Sequence, residues 1–116
     1  MLAAATVLSL LATAGNYVVM EPGVLKSPRA QGKYLRSDLR RISRAASEHG
    51  RDIVITEGWG GKASWHHDHV ARYDIRIIGL TEPEITSLKT ALEHQGFQVH
   101  REGPPKYVAH LHIWRD

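Results

Sequence analysis

The chain has 116 residues, 42% of them hydrophobic, a formal charge of +3 and no cysteine. That length holds one small domain with a core of limited surplus stability, to which a bound metal would add folding free energy. The missing cysteines exclude disulfides, Cys-ligated zinc and thiol nucleophiles.

Met1 to Met20 carries no charged side chain. Leu2, Val7, Leu8, Leu10 and Leu11 among alanines resemble a signal-peptide apolar region, and Ala12-Thr13-Ala14 a cleavage site, but no Lys or Arg precedes them. A buried N-terminal helix fits as well. A membrane span fits less well, because Thr13, Gly15 and Asn16 interrupt the run. The chain therefore divides into an apolar segment, 1–20, and a domain, 21–116. Localisation stays open between export to the cell envelope and the cytoplasm.

Glu21 to Gly32 holds Pro22, Gly23, Pro28 and Gly32 and reads as a loop. Lys33 to His49 reads as a helix, with Leu35, Leu39, Ile42 and Ala46 on one stripe and Gly50 as its C-terminal stop. The basic residues from Lys26 to Arg51, with Arg29, Lys33, Arg36, Arg40, Arg41 and Arg44 between them, are a solvated helix face or an attraction to an anionic polymer such as nucleic acid or a cell wall. Only Tyr34 interleaves with them, which disfavours single-strand nucleic-acid binding. Nothing points to sequence-specific nucleic-acid recognition or to oligomerisation. Asp52 to Glu57 reads as a buried strand, Gly58 to Gly61 as a loop, and Ala71 to Gly79 as a strand with Tyr73, Ile75 and Ile77 facing the core. Asp74 then lies on the opposite face beside Arg72 and Arg76.

Thr81-Glu82-Pro83-Glu84 combines a cap, a first-turn proline and a capping box, and predicts a helix to about Gln95, closed by Gly96. Ile85, Leu88 and Leu92 form its buried stripe. Phe97 to Arg101 and Tyr107 to Trp114 read as strands separated by Gly103-Pro104-Pro105. The sum is an α+β fold, a small and mostly antiparallel sheet packed against two or three helices.

Five of the eight histidines fall in two clusters, His66-His67-Asp68-His69 and His110-Leu111-His112. Alternate residues of a strand share a face, so His110 and His112 point into one site while Leu111 and Ile113 enter the core. Imidazole and carboxylate are zinc donors, and a catalytic zinc takes three protein ligands and keeps a fourth position open. One histidine of the first cluster, Asp74 and one late histidine supply such a set. His66 and His69 compete with His67 for the first place, and Asp68 is placed to orient a ligand imidazole.

Ser64-x-x-His67, Asp74 and the His110-x-His112 strand resemble the zinc D-Ala-D-Ala carboxypeptidase family, which includes peptidoglycan endopeptidases and shares a zinc fold with hedgehog signalling domains. The resemblance spans about residues 17–114, and its specific part is the His, Asp and His-x-His skeleton. It implies a hedgehog/D-Ala-peptidase-like fold, Zn2+ held by His67, Asp74 and His112, and His110 as the catalytic group beside the water or the oxyanion. Ser64, Trp65 and Arg72 would touch substrate, which would be peptidoglycan or a short peptide. Zinc would lower the pKa of a water toward neutrality, and His110 with Arg72 or Arg76 would stabilise the tetrahedral charge.

The chain departs from the family pattern at Val70 and Arg72, where Gly and Ala are usual, and at Trp65, where Ser is usual. It also has Ala109 where many members place a carboxylate base. His110, Glu57 or Asp68 would have to replace that base. Otherwise the chain is a non-catalytic zinc-binding module of the same fold. A histidine-triad phosphohydrolase is a weaker reading of His110-Leu111-His112-Ile113, because Trp114 stands where the third histidine belongs.

Overall fold

The computed structural model describes the backbone of residues 6–7, 16–21, 28–58 and 71–115, and the side chains of residues 16–21, 36–56 and 72–115. Their elements, in chain order, are β1 (Thr6–Val7), β2 (Val18–Met20), α1 (Pro28–His49), β3 (Ile53–Gly58), β4 (Ala71–Arg76), α2 (Glu82–His94), β5 (Gln98–Glu102) and β6 (His110–Arg115). The strands form one six-stranded sheet in the order β1-β2-β3-β4-β6-β5. Only β2 and β3 run parallel; the other neighbours are antiparallel. The α+β class and the mostly antiparallel sheet expected from sequence are present.

Both helices supply the core that covers one face of the sheet. Leu39, Ile42, Ala45 and Ala46 of α1 and Ile85, Leu88, Ala91 and Leu92 of α2 are buried in one cluster with Ile53, Ile55, Tyr73, Ile75, Leu111 and Ile113 of the central strands. Strand periodicity of two sends the residues between them, Arg72, Asp74, His110 and His112, to the other face. The candidate site is built on that face.

Helix α2 follows its sequence signals closely. Thr81 Oγ1 accepts from the Glu84 amide, and the Glu84 carboxylate accepts from the Thr81 amide, so both arms of the capping box form. At the other end Gly96 takes φ +91°, and the Gln95 carbonyl accepts from Arg41 of α1 at 2.9 Å. A cation at a helix C-terminus satisfies an orphan carbonyl and opposes the dipole.

Several boundaries differ from the sequence reading. Helix α1 begins at Pro28 rather than Lys33. A proline in the first helical turn loses no hydrogen bond, so Pro28 starts the helix instead of marking a loop. Strand β4 stops at Arg76 rather than Gly79, because Leu80 N donates to Ile77 O at 3.0 Å across a turn that needs Gly79 at φ +89°. Strand β6 begins at His110 rather than Tyr107, after a turn in which Tyr107 N donates to Gly103 O.

The apolar segment 1–20 contributes β2, which pairs with β3 as Val18 with Ile53, Val19 with Val54 and Met20 with Ile55. Val18 and Met20 are buried in the main core. The segment also contributes β1, antiparallel to β2, where a buried helix was one sequence expectation. No helix among the described residues is long and apolar enough to cross a membrane.

Candidate metal centre

Two strand pairings assemble the site. Across β4 and β6, Asp74 stands opposite His112, Arg76 opposite His110 and Arg72 opposite Trp114. Across β6 and β5, His110 stands opposite Glu102 and His112 opposite His100. Directly opposed residues share a face, so the two histidines meet acids and bases from both neighbouring strands. Between Ile55 and Glu57 the β3–β4 register shifts by a bulge, which sets Glu57 opposite Asp74. Bulges often re-aim side chains beside functional sites.

Asp74, His110 and His112 form a group that could hold a metal ion, with one ligand atom from each lying within 4.8 Å of the others. Asp74 Oδ1 is 2.8 Å from His112 Nδ1 and 3.7 Å from His110 Nε2. Two donors each bound to zinc at tetrahedral angles lie about 3.3 Å apart, so these separations bracket the required edge. The donor set of two imidazoles and a carboxylate also suits a borderline-soft ion better than magnesium or calcium, which favour all-oxygen shells.

The surroundings of the two histidines differ. His112 is buried, and its Nε2 lies 2.6 Å from Arg72 Nη1. Arg72 is itself buried and sits over the Trp114 ring, 5.4 Å from its centroid. Burying a guanidinium costs several kcal/mol unless it is well paired, so the imidazole and the aromatic face are part of what keeps Arg72 inside. His110 Nδ1 lies 2.6 Å from Val108 O, and its Nε2 lies 2.9 Å from Glu102 Oε1.

A cavity of about 340 Å³ opens beside the group, lined by Asp74 and His110 with Thr56, Arg76, Tyr107 and Val108 among others. Arg76 is held there by an ion pair with Glu21, and Tyr107, Val108 and Ile78 present exposed apolar surface at its rim.

Of the residues singled out in the sequence, Asp74, His110, His112 and Arg72 are brought together on one sheet face. Ser64, Trp65 and His67 lie outside the described residues, as do His66, Asp68 and His69; Glu57 is described in backbone only. Glu102 is the residue that sequence reasoning missed. Its place beside His110 depends on the β5–β6 register.

No protein-family model, curated protein or solved structure matches the chain.

Proposed function

We propose that this protein is a zinc-dependent peptidase that hydrolyses amide bonds of peptidoglycan stem peptides, as a D-Ala-D-Ala carboxypeptidase or endopeptidase. The observation that carries the reading is the convergence of Asp74, His110 and His112 beside an open cavity. The order of the His and Asp motifs in the sequence supplies the substrate class. Zinc, when bound, polarises a carbonyl and makes water a nucleophile near neutral pH.

The chain's own groups do the rest. The carboxylate of Asp74 and an imidazole of the His110–His112 strand hold the ion. The cavity binds the peptide chain, with Tyr107, Val108 and Ile78 taking up apolar side-chain surface. Arg76, once exchanged from Glu21, offers a cation to an anionic group of the substrate. Glu102, 2.9 Å from His110 Nε2, supplies the carboxylate missing at Ala109.

The test is metal analysis of the purified full chain, followed by digestion of muropeptides and of peptides ending in D-Ala-D-Ala. About one zinc per chain is expected, lost in Asp74→Ala, with cleavage abolished by a chelator and restored by zinc. A protein that takes up no zinc even after reconstitution refutes the reading. Zinc uptake without cleavage of either substrate class replaces the peptidase by a non-catalytic metal-binding module.

A further inference from the structure

The sequence resemblance makes His112 a metal ligand and His110 the catalytic group. The hydrogen bonds around the two rings point the other way. A guanidinium only donates, so the His112 Nε2 that faces Arg72 Nη1 at 2.6 Å must accept. In the neutral ring Nδ1 then carries the proton and donates to Asp74 Oδ1 at 2.8 Å. Both nitrogens are committed. A metal at Nδ1 would move the proton to Nε2 and aim it at the N–H of Arg72. A metal at Nε2 would stand where a buried, ring-stacked guanidinium already stands.

His110 has the complementary arrangement. A carbonyl only accepts, so the contact with Val108 O at 2.6 Å puts a proton on Nδ1. Ligand histidines are commonly oriented by such a bond from the second ring nitrogen to a backbone carbonyl. Nε2 is then the coordinating atom, and it faces two carboxylate oxygens, Glu102 Oε1 at 2.9 Å and Asp74 Oδ1 at 3.7 Å. Two donors bound to one ion at about 2.0–2.1 Å can be separated by 3.7 Å with the ion between them. The 2.8 Å between His112 and Asp74 is an ordinary hydrogen-bond length. The cavity gives an independent sign, since Asp74 and His110 line it and His112 does not.

We infer that His110, through Nε2, is the histidine of this strand that binds the metal with Asp74, while His112 is a positioning residue, clamped by Arg72 and holding the Asp74 carboxylate in place. The inference rests on the metal-site half of the proposed function. It assigns Glu102 a share in the same site, as the carboxylate that adds negative charge beside the coordinating nitrogen.

The experiment is zinc affinity of the full chain, measured by competition with a chromophoric chelator, for wild type and single variants whose fold is checked by circular dichroism. His110→Ala is expected to weaken zinc binding by at least 100-fold, and Glu102→Gln by about 10-fold, the usual effect of removing a neighbour of a ligand. His112→Asn keeps polar atoms that can meet Asp74 and Arg72, and is expected to stay within about 10-fold of wild type. Arg72→Gln removes the competing cation while its amide can still donate to His112 Nε2, and is expected to bind zinc at least as tightly as wild type. Loss of zinc in His112→Asn together with retention in His110→Ala overturns the inference, as does equal loss in both. A wild-type chain without zinc overturns it along with the proposed function. The expected affinity pattern without peptide cleavage leaves the ligand assignment standing and removes only the peptidase.

Discussion

Asp38 ties helix α1 to the two strands that carry the candidate site. It is a fully buried carboxylate on α1, and it accepts from Tyr73 Oη of β4 at 2.7 Å and from Arg115 Nε of β6 at 2.6 Å. Burial, followed by the charge and hydrogen bond of Asp38, pushes the Tyr73 phenol above its ordinary range, so Tyr73 stays a donor. Tyr73 and Arg115 are on the helix-facing side of the same two strands whose opposite side carries Asp74 and His112. A buried ion pair adds little net stability, but removing one partner strands the other. Asp38→Ala is therefore expected to lower unfolding free energy by about 3 kcal/mol, read from urea denaturation, and Tyr73→Phe by about 1 kcal/mol. A loss below about 1 kcal/mol in Asp38→Ala would show that the carboxylate is not what holds α1 to the sheet.

At the scale of elements, the two helices meet through polar clasps at their ends as well as through the core. His49 at the end of α1 faces Ser87 of α2 through Nδ1 at 3.0 Å, and Arg51 pairs with Glu84 close by. Desolvation first, then the charge of Arg51, holds the His49 imidazole below its ordinary pKa, with Glu84 opposing. Its Nε2 is buried with no hydrogen-bond partner among the described residues. A histidine whose folded pKa is depressed costs nothing while neutral. Its penalty appears as pH falls through the unfolded value near 6.5 toward the folded one, and is complete below both. Melting temperature is thus expected to fall more steeply between about pH 7 and pH 5 in wild type than in His49→Gln. Parallel pH profiles for the two proteins would contradict the assignment.

The same scale shows what the sequence made legible. Helix α2 was readable because its stop and start are local chemistry, the Thr81–Glu84 box and Gly96. The shared direction of His110 and His112 was readable because strand periodicity is local too. Strand β2 was not, since Val18, Val19 and Met20 continue an apolar run without period, as a parallel strand buried in a sheet does. Glu102 was hidden for a different reason. No spacing rule joins it to His110; the register of β5 against β6 does. The choice between His110 and His112 as ligand was equally out of reach, because it rests on Arg72 and Val108 O, which the skeleton of His and Asp positions does not contain.

For the whole molecule, the site joins strands that the core alone would leave to their backbone pairing. Asp74 lies on β4, His110 and His112 on β6, and Glu102 on the edge strand β5. A metal held by side chains from neighbouring strands binds the folded sheet and has no equivalent site in the unfolded chain, so its binding energy adds to folding. At a free zinc concentration 100 times the dissociation constant, the added stability is about 2.7 kcal/mol. An unfolding entropy of about 2.1 cal/mol/K per residue makes about 0.24 kcal/mol/K for a chain of this length, so Tm is expected to rise by roughly 10 °C. The measurement is a thermal melt of the full chain in chelator and across a zinc series, with Asp74→Ala alongside. Wild type should climb with zinc concentration and the variant should stay near its chelator value. The edge position of β5 adds a sharper requirement. If Glu102 shares in the site, hydrogen exchange at the amides of β5 should slow when zinc is added, because local opening of an edge strand then has to give up the contact with the ion's ligand. Slowing confined to β4 and β6 would place the metal centre wholly between those two strands and take Glu102 out of it.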